Sequence, residues 1–291
     1  MLKRWTTYQA ERFPLSRHLP LVLITCLAAL AGTLGIQHES RLPPLLLWLG
    51  SGAVTLGLFF QLRVLDEHKD YEDDARFRPY RPVPRGLLGL KDLAQAGWLV
   101  LAAQLLLTVL FARQALWPLL ACWVFMALME REFFVRDWLK ARPVVYMLSH
   151  APITGLIQVN ASAWVWKSGL PREVLWLAAS ATAAGVVLEI GRKLRAPEQE
   201  EAGASTYTAD WGRERALGAW LLAGAVAAAL TLLSSPGWLA ASLLAVVGGL
   251  SVWRAGIFRT VPTSTAARWF EPVSALWALV VFAAFAVRGA G

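Results

Sequence analysis

The sequence predicts an all-α integral membrane protein. Of its 291 residues, 57% are hydrophobic and 16% are charged, whereas a soluble domain has about 45–50% apolar and about 25% charged residues. The 15 tryptophans fit a membrane protein as well, because Trp is enriched where a bilayer meets water. A helix needs about 20 residues to span a bilayer. Nine apolar runs can each do so, and they lie at 19–36, 44–63, 93–112, 115–131, 144–166, 173–191, 216–234, 237–256 and 271–288.

The distribution of Lys and Arg predicts the orientation of these nine spans. Met1 to Arg17 is polar and is followed by no convincing cleavage site, so we expect a retained cytoplasmic N-terminus. With that orientation, 23 of the 28 Lys and Arg residues lie on the cytoplasmic side, as the positive-inside rule demands. An odd number of spans puts the C-terminus outside, in a bacterial-type inner or cell membrane. Because topology accounts for the net charge of +8, the expected partner is the lipid bilayer, with no nucleic acid.

The first of two acidic stretches is Gln61 to Gly86, which continues the second apolar run without a break. Asp66, Asp70 and Asp74 recur every fourth residue. On a helix these positions stack on one face, roughly 5–6 Å apart, where like charges repel. The pattern therefore predicts a cationic partner for this face.

The second acidic stretch is Glu189 to Gly212, which leaves the sixth run on the same side of the membrane. Glu189 and Lys193 are one helical turn apart, and Pro197 ends the helix. Glu198, Glu200 and Glu201 follow in a loop. Two such stretches four spans apart predict a single domain over 1–291 with quasi-repeat halves. These halves are about 19–131 and 144–256, followed by a ninth helix at 271–288.

Facing carboxylate clusters indicate a divalent cation and a phosphorylated substrate. Mg²⁺ prefers oxygen ligands and usually takes one or two carboxylates together with substrate phosphates. Interleaved Arg and Lys would complete a clamp around a diphosphate. Arg136, Lys140 and Arg142, which follow the fourth run, can point at the same mouth. Taken singly, each of these bases is better explained by contact with lipid headgroups and by the positive-inside rule.

Polar residues within the spans have two interpretations. Gln104 and Gln158 are best explained by hydrogen bonds between helices. His150 lies between Pro143 and Pro152 at the depth where a site would open. It fits either such a hydrogen bond or a part of the site.

The acidic stretches resemble the two aspartate-rich motifs of the UbiA superfamily of intramembrane prenyltransferases. The first motif falls on Asp66-Glu67-x-x-Asp70-x-x-x-Asp74, with Asp66 in place of the usual Asn, and is followed by Arg81-Pro82-Val83-Pro84-Arg85-Gly86. Leu139-Lys140-Ala141-Arg142 resembles the family's Leu-Lys-Arg element with one residue inserted. In the second motif glutamates replace the usual aspartates, and Ser205-Thr206 with Gly212 resembles its closing segment.

This resemblance implies nine transmembrane helices in a UbiA-like bundle with a cytoplasmic polar cap. It also implies Mg²⁺ as cofactor and an isoprenyl diphosphate as substrate. On the motif positions, the expected catalytic residues are Asp66, Asp70, Asp74 and Glu189. The expected metal ligands are Asp66, Asp70, Asp74, Glu189, Glu198 and Glu201, and the expected diphosphate-binding residues are Arg81, Lys140, Arg142, Arg192 and Lys193.

The sequence therefore predicts an Mg²⁺-dependent transfer of a prenyl group from the diphosphate to a lipophilic or aromatic acceptor. A terpene synthase of the same superfamily, which cyclises the prenyl diphosphate without an acceptor, is the alternative. A membrane protein that binds or transports cations is a more distant alternative. Transport sites normally lie near the bilayer midplane, whereas these carboxylates lie at the cytoplasmic helix ends.

Overall fold

The computed structural model describes residues 2–39, 43–200, 206–234 and 237–288, and this part of the chain is all helical between its connections. Short 3₁₀ turns occur at Arg113–Ala115, Glu132–Phe134 and Pro197–Gln199. The α-helices are, in chain order, α1 (Leu2–Arg12), α2 (Leu15–Ile36), α3 (Leu45–Lys69), α4 (Tyr71–Phe77), α5 (Leu90–Phe111), α6 (Leu116–Glu130), α7 (Arg136–Lys140), α8 (Pro143–His150), α9 (Pro152–Ala163), α10 (Val174–Arg192), α11 (Tyr207–Trp211), α12 (Arg213–Ser234), α13 (Trp238–Thr260), α14 (Ser264–Ala267) and α15 (Phe270–Arg288).

Seven helical segments are long and apolar enough to cross a membrane. They coincide with seven of the nine apolar runs, and the prediction of an all-α, multi-pass membrane protein is confirmed. The segments are Leu15–Ile36, Leu45–Lys69, Leu90–Phe111, Val174–Arg192, Arg213–Ser234, Trp238–Thr260 and Ser264–Val287.

The fourth and fifth apolar runs form shorter helices than predicted. The fourth forms α6, which has 15 residues. The fifth is divided into α8 and α9 at Pro152. Proline lacks the backbone N–H that a continuous helix needs, and its ring crowds the preceding turn. The count of nine spans is therefore not confirmed in the described residues and stays a prediction.

The helices pack around two large hydrophobic cores. The first core joins α2, α3, α6 and α9, with Leu58, Leu119 and Ile157 at its centre. The second core joins α10, α12, α13 and α15, and includes the fully buried Trp220 and Phe270. Because α2 contributes buried residues to both, it connects the two groups of helices.

A glycine allows close contact between α10 and α15 near the second acidic stretch. A Cβ atom added to Gly191 would lie 1.9 Å from Ser274 Oγ and 3.1 Å from the backbone oxygen of Phe270. Ser274 Oγ in turn accepts a hydrogen bond of 2.8 Å from Trp220 Nε1. The end of α10, one turn after Val187, can therefore approach α15 this closely only because residue 191 is a glycine.

The N-terminal helix α1 is attached to the first acidic stretch by charged contacts. Arg12 Nε lies 2.5 Å from Glu67 Oε1, and the Glu67 side chain is almost fully buried. Glu11 Oε1 lies 2.7 Å from Arg85 Nη2 in the segment that follows the acidic residues. This helix therefore fixes both ends of the stretch from Glu67 to Arg85.

Candidate active site

The first acidic stretch remains helical beyond the membrane-spanning part of α3. Asp70 separates α3 from the short helix α4. Hydrogen bonds from Asp70 N to Asp66 O (2.9 Å) and from Asp74 N to Asp70 O (2.8 Å) continue across this junction. The three aspartates therefore keep the one-turn spacing that their sequence predicts.

Of the three aspartates that recur every fourth residue, Asp66 and Asp70 have carboxylates open to solvent. The Asp66 side chain is 54% exposed and lies 3.4 Å from Arg63 Nη1. Asp70 is also partly open to solvent. Burial by surrounding atoms nevertheless raises the pKa of Asp70 above its ordinary value, and the neighbouring carboxylate of Asp66 raises it further. These two groups concentrate negative charge that a cation would stabilise.

Asp74 has a different environment from the other two aspartates. Its side chain is 2% exposed. Its Oδ1 lies 2.9 Å from Arg78 Nη1 and its Oδ2 lies 2.5 Å from Arg81 Nη1. A predicted metal ligand and a predicted diphosphate-binding arginine are thus paired with each other in this structure. Through these two arginines, Asp74 therefore anchors the segment that follows α4.

The second acidic stretch begins with a compact ion cluster at the end of α10. Glu189 lies 2.6 Å from Arg192 Nη2 and 2.9 Å from Lys193 Nζ. Lys193 Nζ also lies over the ring of Tyr207, 5.3 Å from its centroid. The carboxylate of Asp66 is within electrostatic reach of Arg192. The charges of Asp66 in the first stretch and Arg192 in the second therefore influence each other.

The later glutamates of the second stretch have other contacts. Glu198 Oε1 accepts a hydrogen bond of 2.7 Å from the backbone N–H of Ser264, at the start of α14. Glu200 accepts hydrogen bonds from the hydroxyl groups of Thr206 and Thr208. Glu201, a predicted metal ligand, lies outside the described residues, as does Ser205.

The predicted basic residues after the fourth run lie on α7 and just beyond it. Lys140 is exposed at the end of α7. The Arg142 guanidinium lies over the ring of Trp138, 4.6 Å from its centroid, and donates to the Trp138 backbone oxygen at 3.1 Å. Arg142 is therefore held back against its own helix by an aromatic contact.

A buried polar cluster that the sequence analysis did not identify lies beside Asp70. Glu132 is 2% exposed, and its Oε1 lies 2.5 Å from Lys69 Nζ. The Tyr146 hydroxyl donates to the same oxygen at 3.0 Å, while His150 Nε2 lies 3.3 Å from Glu132 Oε2. Lys69 also donates to the Tyr146 hydroxyl.

His150 belongs to this cluster, which fits both interpretations, because its contact with Glu132 connects two helices and also lies beside the first acidic stretch. Its ring stacks on Tyr146 with centroids 4.3 Å apart, and Tyr146 is within electrostatic reach of Asp66 and Asp70. The signal that could have found Glu132 is an acidic residue directly after a spanning run, opposite a histidine within the next run. An intramembrane or interfacial acid of this kind needs a partner.

A groove of about 700 Å³ lies between α3, α5 and α6. Its lining includes His68 on α3, Trp98 on α5 and Met126 on α6. His68 is two residues away from both Asp66 and Asp70, which on a helix is roughly the opposite side. The groove therefore opens away from the acidic residues of the candidate site.

The donor set suits a hard divalent cation. Within the described ranges, no group of three or more His, Cys, Asp or Glu side chains is close enough to hold a metal alone. The open carboxylates of Asp66 and Asp70 nevertheless fit Mg²⁺, which is usually bound by one or two carboxylates while substrate phosphates and water complete its shell.

Comparison with known proteins gives one sequence relative and two structural neighbours. No protein-family model matches the sequence. Digeranylgeranylglyceryl phosphate synthase of Thermococcus sibiricus is 30% identical over 197 residues, an alignment that covers 66% of this chain and 66% of the relative. The chain thus aligns with just under two thirds of the relative's length.

The structural neighbours match over nearly the whole chain. A structure of digeranylgeranylglyceryl phosphate synthase in membranes has a TM-score of 0.67 at 17% identity, covering 99% of both chains. A UbiA homologue from Aeropyrum pernix K1 has a TM-score of 0.66 at 16% identity, covering 91% of this chain and 98% of the other. At such identities the likeness concerns the fold. Together with the sequence relative, it shows that this chain belongs to the UbiA superfamily of intramembrane prenyltransferases.

Proposed function

We propose that this protein is an Mg²⁺-dependent prenyltransferase that cleaves an isoprenyl diphosphate within the membrane. The prenyl group would pass to a lipophilic or aromatic acceptor. The observation that carries the proposal is the ion cluster of Glu189 with Arg192 and Lys193 at the end of α10, because the charge of Arg192 is also influenced by Asp66 of the first motif. Carboxylates facing a guanidinium and an ammonium at one mouth suit a metal-bound diphosphate.

The membrane arrangement belongs to the same proposal. In it, α6 and the broken pair α8 and α9 cross the bilayer as the fourth and fifth of nine spans. The N-terminus and the polar cap face the cytoplasm, and the C-terminus lies outside. The division into halves at 19–131 and 144–256 with a ninth helix at 271–288 is part of the proposal, although α2 and α9 pack across it, since α9 contributes to the same core as α2, α3 and α6.

In this proposal Asp66 and Asp70 hold the metal from the first motif. Glu189 approaches from the second motif once Arg192 and Lys193 turn towards the substrate. Bound Mg²⁺ would neutralise part of the negative charge that accumulates on the leaving diphosphate. Asp74 supports the site from behind, because its two arginines hold the chain that follows. Ligation by Glu198 and Glu201 remains a prediction from the sequence alone.

Basic residues would bind the diphosphate oxygens. Arg192 and Lys193 share the single carboxylate of Glu189, so they retain donors for a phosphate. Lys140 and Arg142 lie at the neighbouring helix end, and Arg81 would join them only if it released Asp74. Guanidinium and ammonium groups stabilise an anionic leaving group as its charge develops.

The reaction breaks the bond between the allylic carbon and the diphosphate oxygen, and the electron pair leaves with diphosphate. The allylic carbon then forms a bond to the acceptor, which loses a proton. Apolar helices around the prenyl tail exclude water from the intermediate.

The sequence relative favours transfer over cyclisation. The name of that relative describes the synthesis of a digeranylgeranylglyceryl phosphate, a product in which prenyl groups are joined to another molecule. A cyclase would need no such acceptor. We therefore take a transferase as the primary function and the terpene synthase as the alternative.

The test is to incubate purified protein with Mg²⁺ and prenyl diphosphates of several lengths, with and without lipid extract as a source of acceptors. Mass spectrometry identifies every product. We expect diphosphate release with a prenylated acceptor, and no turnover by Asp70→Asn, which removes a ligand charge at nearly constant shape. Turnover retained in that variant would refute the role of Asp70. A cyclic hydrocarbon formed without acceptor would replace the transferase by a cyclase.

A further inference from the structure

Two arginines share one tryptophan at the end of the bundle that carries the acidic motifs. The Arg254 guanidinium carbon lies 4.2 Å from the ring centroid of Trp253 and 4.2 Å from that of Trp269. Arg268 lies on the same indole, 5.8 Å from its centroid. Two like charges are thus drawn to a single ring.

Neither Arg254 nor Arg268 forms an ion pair within the described part of the chain. Arg254 Nε is buried without a hydrogen-bond partner. Glu271, in the first turn of α15, is the nearest acidic residue in sequence to Arg268 and is exposed. Since cation–π contacts leave the charge itself uncompensated, the two arginines have no anionic partner among residues 2–39, 43–200, 206–234 and 237–288.

The surroundings place this pair at the level of lipid headgroups. Arg254 lies six residues before the end of α13 at Thr260, which is about 9 Å along a helix. Trp253 is 56% exposed and Trp269 is 37% exposed, and Val252 beside them is 62% exposed on the outer surface of α13. Exposed tryptophans next to an apolar surface are typical of the membrane–water interface.

We infer that Trp253, Arg254, Arg268 and Trp269 form a binding site for the phosphate headgroup of an anionic phospholipid, whose acyl chains lie along the outer face of α13. The phosphate bridges the two guanidinium groups, and the indole rings cover the glycerol region. The site uses none of the carboxylates proposed to hold the metal, so it does not depend on the proposed prenyl transfer. A soluble anion would contact the two guanidinium groups but would not account for the adjoining apolar surface of α13.

The same helix supplies a matched control. Arg259 lies five residues after Arg254 on α13, and its Nε is 3.0 Å from Glu214 Oε2. Its charge is therefore already balanced within the protein. Arg259→Gln removes one positive charge from the same end of the same helix, but this charge is already paired with Glu214.

The experiment measures bound lipid by native mass spectrometry of the full-length protein in neutral detergent, titrated with phosphatidylglycerol, phosphatidylcholine or inorganic phosphate. We expect the wild type to retain phosphatidylglycerol in preference to phosphatidylcholine. Arg254→Gln and Arg268→Gln should each weaken retention about fivefold, and the double variant about 25-fold, because each basic group contributes separately near an anionic headgroup. Arg259→Gln should bind as the wild type does.

Equal retention of the two lipids by the wild type, or equal loss in Arg259→Gln and Arg268→Gln, would overturn the proposal. If inorganic phosphate displaced phosphatidylglycerol at equal concentration, the site would bind free phosphate, and the assignment of a lipid headgroup would be overturned. If Arg254→Gln fails to fold, Arg268→Gln decides the outcome alone, since Arg268 is exposed and its removal leaves no buried gap.

Discussion

Lys69 Nζ lies 2.5 Å from Glu132 Oε1, which joins the last residue of α3 to the turn after α6. Glu132 is buried, whereas Lys69 is adjacent to Asp70, an open carboxylate of the first motif. The same oxygen of Glu132 accepts the Tyr146 hydroxyl. The ion pair therefore fixes the end of α3, where Asp66 and Asp70, the proposed metal ligands, lie.

We expect Glu132→Gln to lower both stability and activation by Mg²⁺. The amide keeps a hydrogen-bond acceptor but leaves the ammonium of Lys69 without its charge partner, and breaking one side of a buried pair costs about 3–5 kcal/mol. Thermal unfolding in detergent measures the first effect, and the Mg²⁺ concentration for half-maximal diphosphate release measures the second.

Glu130→Gln is the matched control, because Glu130 is exposed two residues earlier at the end of α6. It should change neither quantity. If Glu132→Gln unfolds at a lower temperature but needs no more Mg²⁺, Glu132 stabilises the fold without positioning the site.

Asp74→Asn should destabilise the protein more than a substitution at either neighbouring open aspartate. Its buried carboxylate binds Arg78 and Arg81, so its loss leaves two guanidinium groups poorly paired, at a cost of about 3 kcal/mol. Asp73→Asn, at an exposed position in the same stretch, is the control and should be neutral. Comparison of unfolding temperatures tests this, and equal values for the two variants would contradict a structural role for Asp74.

Gly191→Ala should separate α10 from α15. The added methyl group meets Ser274 Oγ and the Phe270 backbone oxygen, and overpacking of this kind costs about 1–3 kcal/mol. Gly218→Ala on α12, where nothing lies within 4 Å of the new Cβ, should be neutral or slightly stabilising because alanine favours helix. Thermal unfolding separates the two, and a Gly191→Ala protein as stable as wild type would show that α15 can shift.

Much of the fold follows from the sequence because apolar runs of spanning length have few alternatives in a bilayer. Seven runs became long helices, and the acidic residues continue in helical register from α3 across Asp70 into α4. The division of the fifth run into two helices could not be predicted from its apolar content alone. Its content is continuous, and only Pro152 marks the division between α8 and α9.

The site was predicted in part. Four-residue spacing correctly put Asp66, Asp70 and Asp74 on successive turns, but spacing does not tell which carboxylate the arginines take. Arg81 reaches Asp74 only because the chain turns back after α4. Glu132 was missed because it lies in a left-handed turn, with positive φ at Glu132, Phe133 and Phe134. Residues other than glycine rarely adopt that conformation, so sequence patterns do not indicate it.

Glu198 provides a prediction about pH. The hydrogen bond from the backbone N–H of Ser264 lowers the pKa of Glu198 below its ordinary value of 4.5. A carboxyl group with a lowered pKa in the folded state stabilises the protein above the ordinary value, and this contribution disappears as the pH falls through the lowered pKa. Glu198→Gln should therefore unfold at a lower temperature than wild type near pH 7, and the difference should vanish at a pH well below 4.5. A difference that persists unchanged at low pH would contradict the role of the charged carboxylate. A higher Mg²⁺ requirement in Glu198→Gln at pH 7 would instead return Glu198 to the metal site that the sequence predicts.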